Sequence, residues 1–211
     1  MRERVPALDL FSTLWGMIEA PAATTLRIGR SEQKNYTHLL FALTGPMLLA
    51  LMLFVARIGD TTLPFGIVLL GIVFGGPLLG LLLFPLMAWW QHFLLRLAYG
   101  IRAGYRMHAA WLAWCLTPIM WTSVLLLPLL LGLFGVILFS TNPAPWDLLP
   151  LPFWSLAMLC AMALPWSMLL LPLGPRIHGV SYPRLLAIQL AVWLLPALVV
   201  ILGASFIRTL V

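Results

Sequence analysis

Apolar residues in this chain fall into long uninterrupted runs separated by short polar stretches. Five runs stand out, over 39–56, 63–90, 109–133, 151–173 and 185–207, with apolar sequence continuing from 133 to 139. A helix needs roughly 20 apolar residues to cross a hydrocarbon core of about 30 Å. Each run reaches or approaches that length. Inside a bilayer the backbone must satisfy its own hydrogen bonds, which leaves helices or a closed barrel. Barrel strands alternate in polarity, and runs such as LLLPLLLGLFGVILF do not. The pattern predicts an all-α, polytopic membrane protein with five crossings in one bundle.

Ahead of the first run the pattern changes. Phe11, Leu14, Trp15 and Ile18 follow the i, i+3, i+4, i+7 rule, with Asp9, Ser12, Thr13 and Gly16 on much of the other face. This predicts a short amphipathic helix on the membrane surface, with Trp15 at headgroup level. Two uses are open: a surface for lipid or a partner, or packing beneath the bundle. Pro21 ends or restarts the helix, because proline suits a first turn and not an interior. The organisation is therefore an N-terminal segment, 1–36, and a transmembrane domain, 37–211. The first 38 residues hold no early apolar core, so no signal cleavage is expected.

Composition narrows the class. Of 211 residues, 63% are hydrophobic and 9% charged, where soluble domains carry about 25% charged. A water-soluble enzyme and a disordered chain are both excluded. The net charge of +6 raises nucleic acid as a partner, but the basic residues sit between apolar runs rather than in one patch. They read as topology signals instead. Ten of the twelve lie before the first crossing and in the loops after the second and fourth; only Arg57 and Arg208 lie on the other side. The positive-inside rule puts the N-terminus in the cytoplasm and the C-terminus outside, with membrane lipids as partners and no nucleic acid.

Every crossing contains an interior proline, which removes a backbone bond and can kink a helix. The candidate breaks or functional kinks are Gly45-Pro46, Gly76-Pro77, Thr117-Pro118, Pro165 and Pro196. At 28 residues the second run would measure about 42 Å, so it must tilt, kink at Gly75-Gly76-Pro77 or extend beyond the bilayer. Broken helices can line a transport path or merely shape a bundle. All six carboxylates lie outside the runs, which argues against proton-coupled transport. Thr44, Thr117, Thr122, Ser123, Ser155, Ser167 and Gln189 suit hydrogen bonds between helices. The carbonyl of Trp114, freed by Pro118, calls for a donor such as Thr117 or Thr122. Small-residue pairs at Gly71/Gly75, Gly76/Gly80, Ala109/Ala113 and Ala157/Ala161 allow close packing within the bundle or in a dimer.

Candidate chemistry is sparse. His38, His92, His108 and His178 fall near one boundary, but none forms an i, i+4 pair and no carboxylate stands at ligand spacing. Cys115 and Cys160 lie within apolar runs, where a thiol behaves as a small hydrophobe. No phosphate loop or nucleophile elbow is present. No catalytic, metal or cofactor site is expected.

The order of LWGMIEAPAATTLRI, NYTHLLFALTGP, LAYGIRAGYRMHAAWLAWCLTPIM and WSMLLLPLGPRIHGVSYPRLLAIQLAVWLLPAL resembles the Yip domain family of five-span membrane proteins, most of all its bacterial inner-membrane, YohC-type branch. The resemblance runs from about Phe11 onward. Trp15-Gly16 and Pro21 match the N-terminal element, and Tyr36-Thr37-His38 the entry to the first span. Thr117-Pro118 matches a threonine-proline in the third span, and Gly179-Val180-Ser181 a turn before the last. The resemblance implies a five-span inner-membrane protein whose eukaryotic relatives act in vesicle traffic; with the sparse chemistry above, the chain reads as a non-enzymatic inner-membrane protein with a structural, lipid-organising or trafficking-like, partner-binding role. The chain lacks the Asp-Leu-Tyr-Gly-Pro element and long polar N-terminal region of the eukaryotic branch, which speaks against GTPase binding. The alternative function is a small permease or a subunit of a membrane transport complex.

Overall fold

A computed structural model describes residues 8–31, 34–101 and 103–210, with the backbone alone at 177 and 178. It is 86% helical. Two short helices, α1 (Leu10–Glu19) and α2 (Pro21–Arg30), open the chain, and Pro21 is the first residue of α2. The first crossing is α3 (Thr37–Ala56). The second runs over Phe65–Tyr99 as α4 (Phe65–Leu70), a π-helical turn (Gly71–Gly75) and α5 (Gly76–Tyr99). A separate helix, α6 (Tyr105–Cys115), precedes the third crossing. That crossing, Thr117–Phe139, comprises α7 (Thr117–Trp121), a π-turn (Thr122–Leu126), α8 (Leu127–Phe134) and a 3-10 turn (Gly135–Phe139). After α9 (Pro145–Leu148), the fourth crossing is α10 (Pro150–Leu170) with its 3-10 extension to Leu173, and the fifth is α11 (Tyr182–Leu210).

Among the described residues the protein is thus an all-α, multi-pass membrane bundle of five crossings. Only 22–39% of the most apolar window of each crossing is buried inside the protein. The rest is apolar surface that hydrocarbon must cover, since water would leave it uncompensated.

The third crossing starts eight residues later than the run of apolar sequence implies. Residues 109–116 are buried on every side, with Trp111, Leu112, Ala113, Trp114, Cys115 and Leu116 fully inaccessible. A helix apolar all round can face protein as well as lipid. Here α6 packs on α1, α2, α3 and α5. It forms the centre of one core, at the N-terminal side, together with Met17, Ile28, Phe41 and Met87. A second core at the opposite side gathers Ile58, Ile72, Leu130, Phe134 and Phe139.

Charged side chains close helix ends. The Lys34 ammonium donates to the carbonyls of Ile28, Gly29 and Ser31 at 2.6, 3.1 and 2.7 Å, capping α2. Burial holds its pKa below the usual lysine value. Arg208, near the end of α11, donates through Nε to the Ala56 carbonyl at 3.2 Å and also to that of Val55. A cation at the carboxyl end of α3 is where the helix dipole favours it.

Candidate functional site

The prolines of the crossings fall into three kinds. Pro46, Pro165 and Pro196 lie inside helices whose assignment continues through them. By contrast, Pro77 and Pro128 each follow a π-turn. The carbonyls they release, of Val73 and Val124, lie within those turns. A π-turn spreads the backbone where the proline ring would press on the carbonyl four residues back. Gly45-Pro46 and Gly76 serve contact rather than bending. A Cβ on Gly76 would stand 2.5 Å from Pro46 Cα, and one on Gly80 would overlap the Phe41 carbonyl oxygen. The Gly76/Gly80 pair therefore joins the first crossing to the second, within the bundle. Gly71 has open space beside it.

At Thr117-Pro118 the helix does break. Leu116 sits at φ −81°, ψ 0°, between α6 and α7. Its N–H is directed to the carbonyls of both Leu112 and Trp114. Only the bond to Leu112, at 3.0 Å, has hydrogen-bond geometry, and no threonine hydroxyl among the described residues donates to the carbonyl that Pro118 releases. Thr122 Oγ1 donates to Ile119 at 2.7 Å, and Thr44 Oγ1 to Leu40 at 2.7 Å. These hydroxyls serve their own helices instead of bridging two, because a short side chain reaches the carbonyl of the preceding turn first. Ser167 and Gln189, both fully buried, make no hydrogen bond, and neither does Gln91.

Beside this break lies a cleft of ≈ 380 Å³. Its wall is apolar: Met47 and Phe54 from α3, Leu130 from α8, Ala157 and Ala161 from α10, and Trp193 from α11. It forms because α11 runs along α3 while α10 leans on α7 and the π-turn after it. The cleft is open on one side, so something from its surroundings must fill it. Water is no remedy, because apolar cavities stay dry.

The N-terminal face is divided. Phe11, Trp15 and Ile18 are exposed, by 77%, 61% and 47%. Leu14, expected beside them, is buried with Thr13 and Met17. At 100° per residue Leu14 stands at the edge of the apolar arc, and α1 turns that edge onto α2 and α6. Asp9, Ser12 and Glu19 occupy the third side. The Asp9 carboxylate caps α1 by accepting from the Ser12 N–H at 2.8 Å, which lowers its pKa. Arg27 of α2 donates to Thr13 Oγ1 at 3.0 Å, fastening the hairpin.

The structure brings together two histidines that their spacing keeps apart. The rings of His92 and His108 lie 5.0 Å apart, across the junction of α5 and α6, and His108 also meets Trp111 edge-on at 5.3 Å. His38 is exposed on α3, and the His178 side chain lies outside the described residues. Among the described residues no three metal-ligating side chains come together. Cys115 is buried and Cys160 half-buried, the latter on the cleft wall.

No protein-family model matches this chain, and neither a curated protein nor a solved structure is similar to it.

Proposed function

We propose that the protein is a non-enzymatic component of a prokaryotic inner membrane that organises lipid or holds a membrane-protein partner. The observation that carries this reading is the three-sided helix α1. One side packs on the bundle, one is polar, and the third exposes Phe11, Trp15 and Ile18. A helix seated on a membrane protein with an apolar stripe turned outward suits the headgroup layer. The basic asymmetry supports a cytoplasmic N-terminus and an external C-terminus. The described aspartates have structural work: Asp9, Asp60 and Asp147 each accept from a backbone N–H in a cap or loop.

The rival, a small permease, calls for a polar path beside the break at Thr117-Pro118. The cleft there is apolar and the Thr122 hydroxyl is spent on its own helix, so the weight stays with a structural role. Recovery of the tagged full chain from native membranes in mild detergent, with mass spectrometry of what comes with it, tests the proposal. Defined phospholipids or a constant membrane-protein partner are expected. A bare protein that instead moves solute across vesicles would overturn it. Reporter fusions after Val211 and within 141–145 are expected to read as external; a cytoplasmic signal from either would reject the orientation.

A further inference from the structure

We propose that the cleft between α10 and α11 is a binding site for one acyl chain of a membrane phospholipid. The inference deepens the lipid-organising reading and rests on it.

The occupant must be apolar, since the wall is apolar and its one hydroxyl, that of Thr122, already donates to Ile119 at 2.7 Å. It must also enter sideways from the bilayer. Leu51 of α3 and Leu164 of α10 line the cleft and are each 45% exposed, so the opening gives onto the lipid-facing surface.

The length of the slot suits an acyl chain. Along α10 the wall runs from Phe153 to Leu164, about 16 Å at 1.5 Å per residue. Half of a hydrocarbon core is about 15 Å, the depth of one leaflet.

The walls are built for such a chain. On α10 the cleft side carries Ala157, Cys160 and Ala161, while Trp154, Met158 and Met162 of the same helix stand 57–65% exposed. Small residues leave the slot open; their large neighbours face away from it. At the outer end, Trp146 packs on Phe153 and Trp154 with ring centroids 5.5 and 6.2 Å apart. Aromatic clusters of this kind mark the headgroup level, and Phe153 is itself part of the wall. The chain therefore ends where its headgroup begins.

The test uses the full chain in vesicles of phosphatidylethanolamine and phosphatidylglycerol carrying a trace of phospholipid with a mid-chain diazirine. After photolysis, adducts are mapped by peptide mass spectrometry. Adducts at Ala157, Cys160 and Ala161 are expected at yields well above those at Met158 and Met162, which meet only bulk lipid. Ala161→Trp fills the slot and is expected to cut the cleft adducts about tenfold, with Met158 unchanged. Ala157→Leu, a smaller plug, serves if the tryptophan variant does not fold. Cleft adducts no stronger than those at Met158, or that survive in folded Ala161→Trp, overturn the site. Lipid co-purifying equally with wild type and Ala161→Trp removes the cleft alone. Lipid retained by neither removes the wider reading too.

Discussion

Gly45 and Gly76 meet through their backbones: a methyl group on Gly45 would overlap the Gly76 carbonyl oxygen and stand 2.7 Å from the amide nitrogen of Gly80. The contact lies between the first and second crossings, and it tolerates no side chain on either partner. In hydrocarbon no hydrophobic force drives helices together, so close packing of this kind carries the association.

Gly45→Ala and Gly80→Ala are therefore expected to lower stability by about 1–3 kcal/mol, the cost of overpacking a tight contact. The obstacles are backbone atoms, which cannot rotate aside. Gly71→Ala is the contrasting case. Nothing lies within 4 Å of its added methyl, and alanine gains up to about 1 kcal/mol in a helix. Thermal melts in detergent should separate the three variants, with Gly71→Ala at or above wild type.

Pro118 lies just beyond a break that is fixed by burial on both sides. Residues 108–118 are all buried, and Leu116 has left helical geometry before the proline is reached. Pro118→Ala restores one N–H without moving α6. It is expected to leave the fold intact, with stability within about 1 kcal/mol of wild type, and to leave lipid or partner recovery unchanged. A folded Pro118→Ala protein that loses its partner or cellular phenotype would assign the break a functional role.

Asp60 ties the loop after the first crossing to the loop after the third. Its carboxylate accepts from the Thr141 N–H at 2.7 Å, from Ser140 Oγ at 2.8 Å and from Thr141 Oγ1. The Thr141 N–H and then the Ser140 hydroxyl hold its pKa below the ordinary value of 3.8. A carboxylate depressed in the fold contributes above its unfolded pKa and loses that contribution as pH falls through the folded value. The tie is therefore expected to be constant from neutral pH down to about pH 4 and to weaken only below that. Hydrogen exchange at the Thr141 amide reads it directly. Asp60→Asn is expected to speed exchange at neutral pH and to abolish the acid dependence.

Hydropathy makes the five crossings legible because lipid-facing and protein-facing residues are both apolar, so every crossing shows as a run. The same fact hides the division of 109–139. Trp111 and Trp114 read alike whether they face lipid or protein, and only the packing of α6 against α2 and α5 decides. Pro77 marks in the sequence where the helix is irregular, and the π-turn Gly71–Gly75 stands just before it. The partner of Gly45 is not legible, because local sequence carries no register between two helices. His92 and His108 are sixteen residues apart, and their contact exists only once α5 and α6 fold back on each other. The cleft is equally silent: Ala157 and Ala161 give the same small-residue signal for a helix contact as for an open slot.

The divided face of α1 yields a prediction that separates lipid contact from simple packing. Phe11, Trp15 and Ile18 lie within about 60° of one another at 100° per residue, and all three are exposed. Ser12 is exposed too, but about 60–120° away from that stripe. With Cys160 replaced by alanine, single cysteines at 11, 15 and 12 take an environment-sensitive label; Cys115 is buried and stays unlabelled. In vesicles the labels at 11 and 15 are expected to shift to the blue relative to detergent-free buffer standards, and the label at 12 to remain water-like. Asp9 and Glu19 repel anionic headgroups, so the apolar stripe must drive the seating and added salt should change it little. Equal, water-like emission at all three positions would mean that α1 stands clear of the membrane. In that case the stripe would instead be a surface that a protein partner covers.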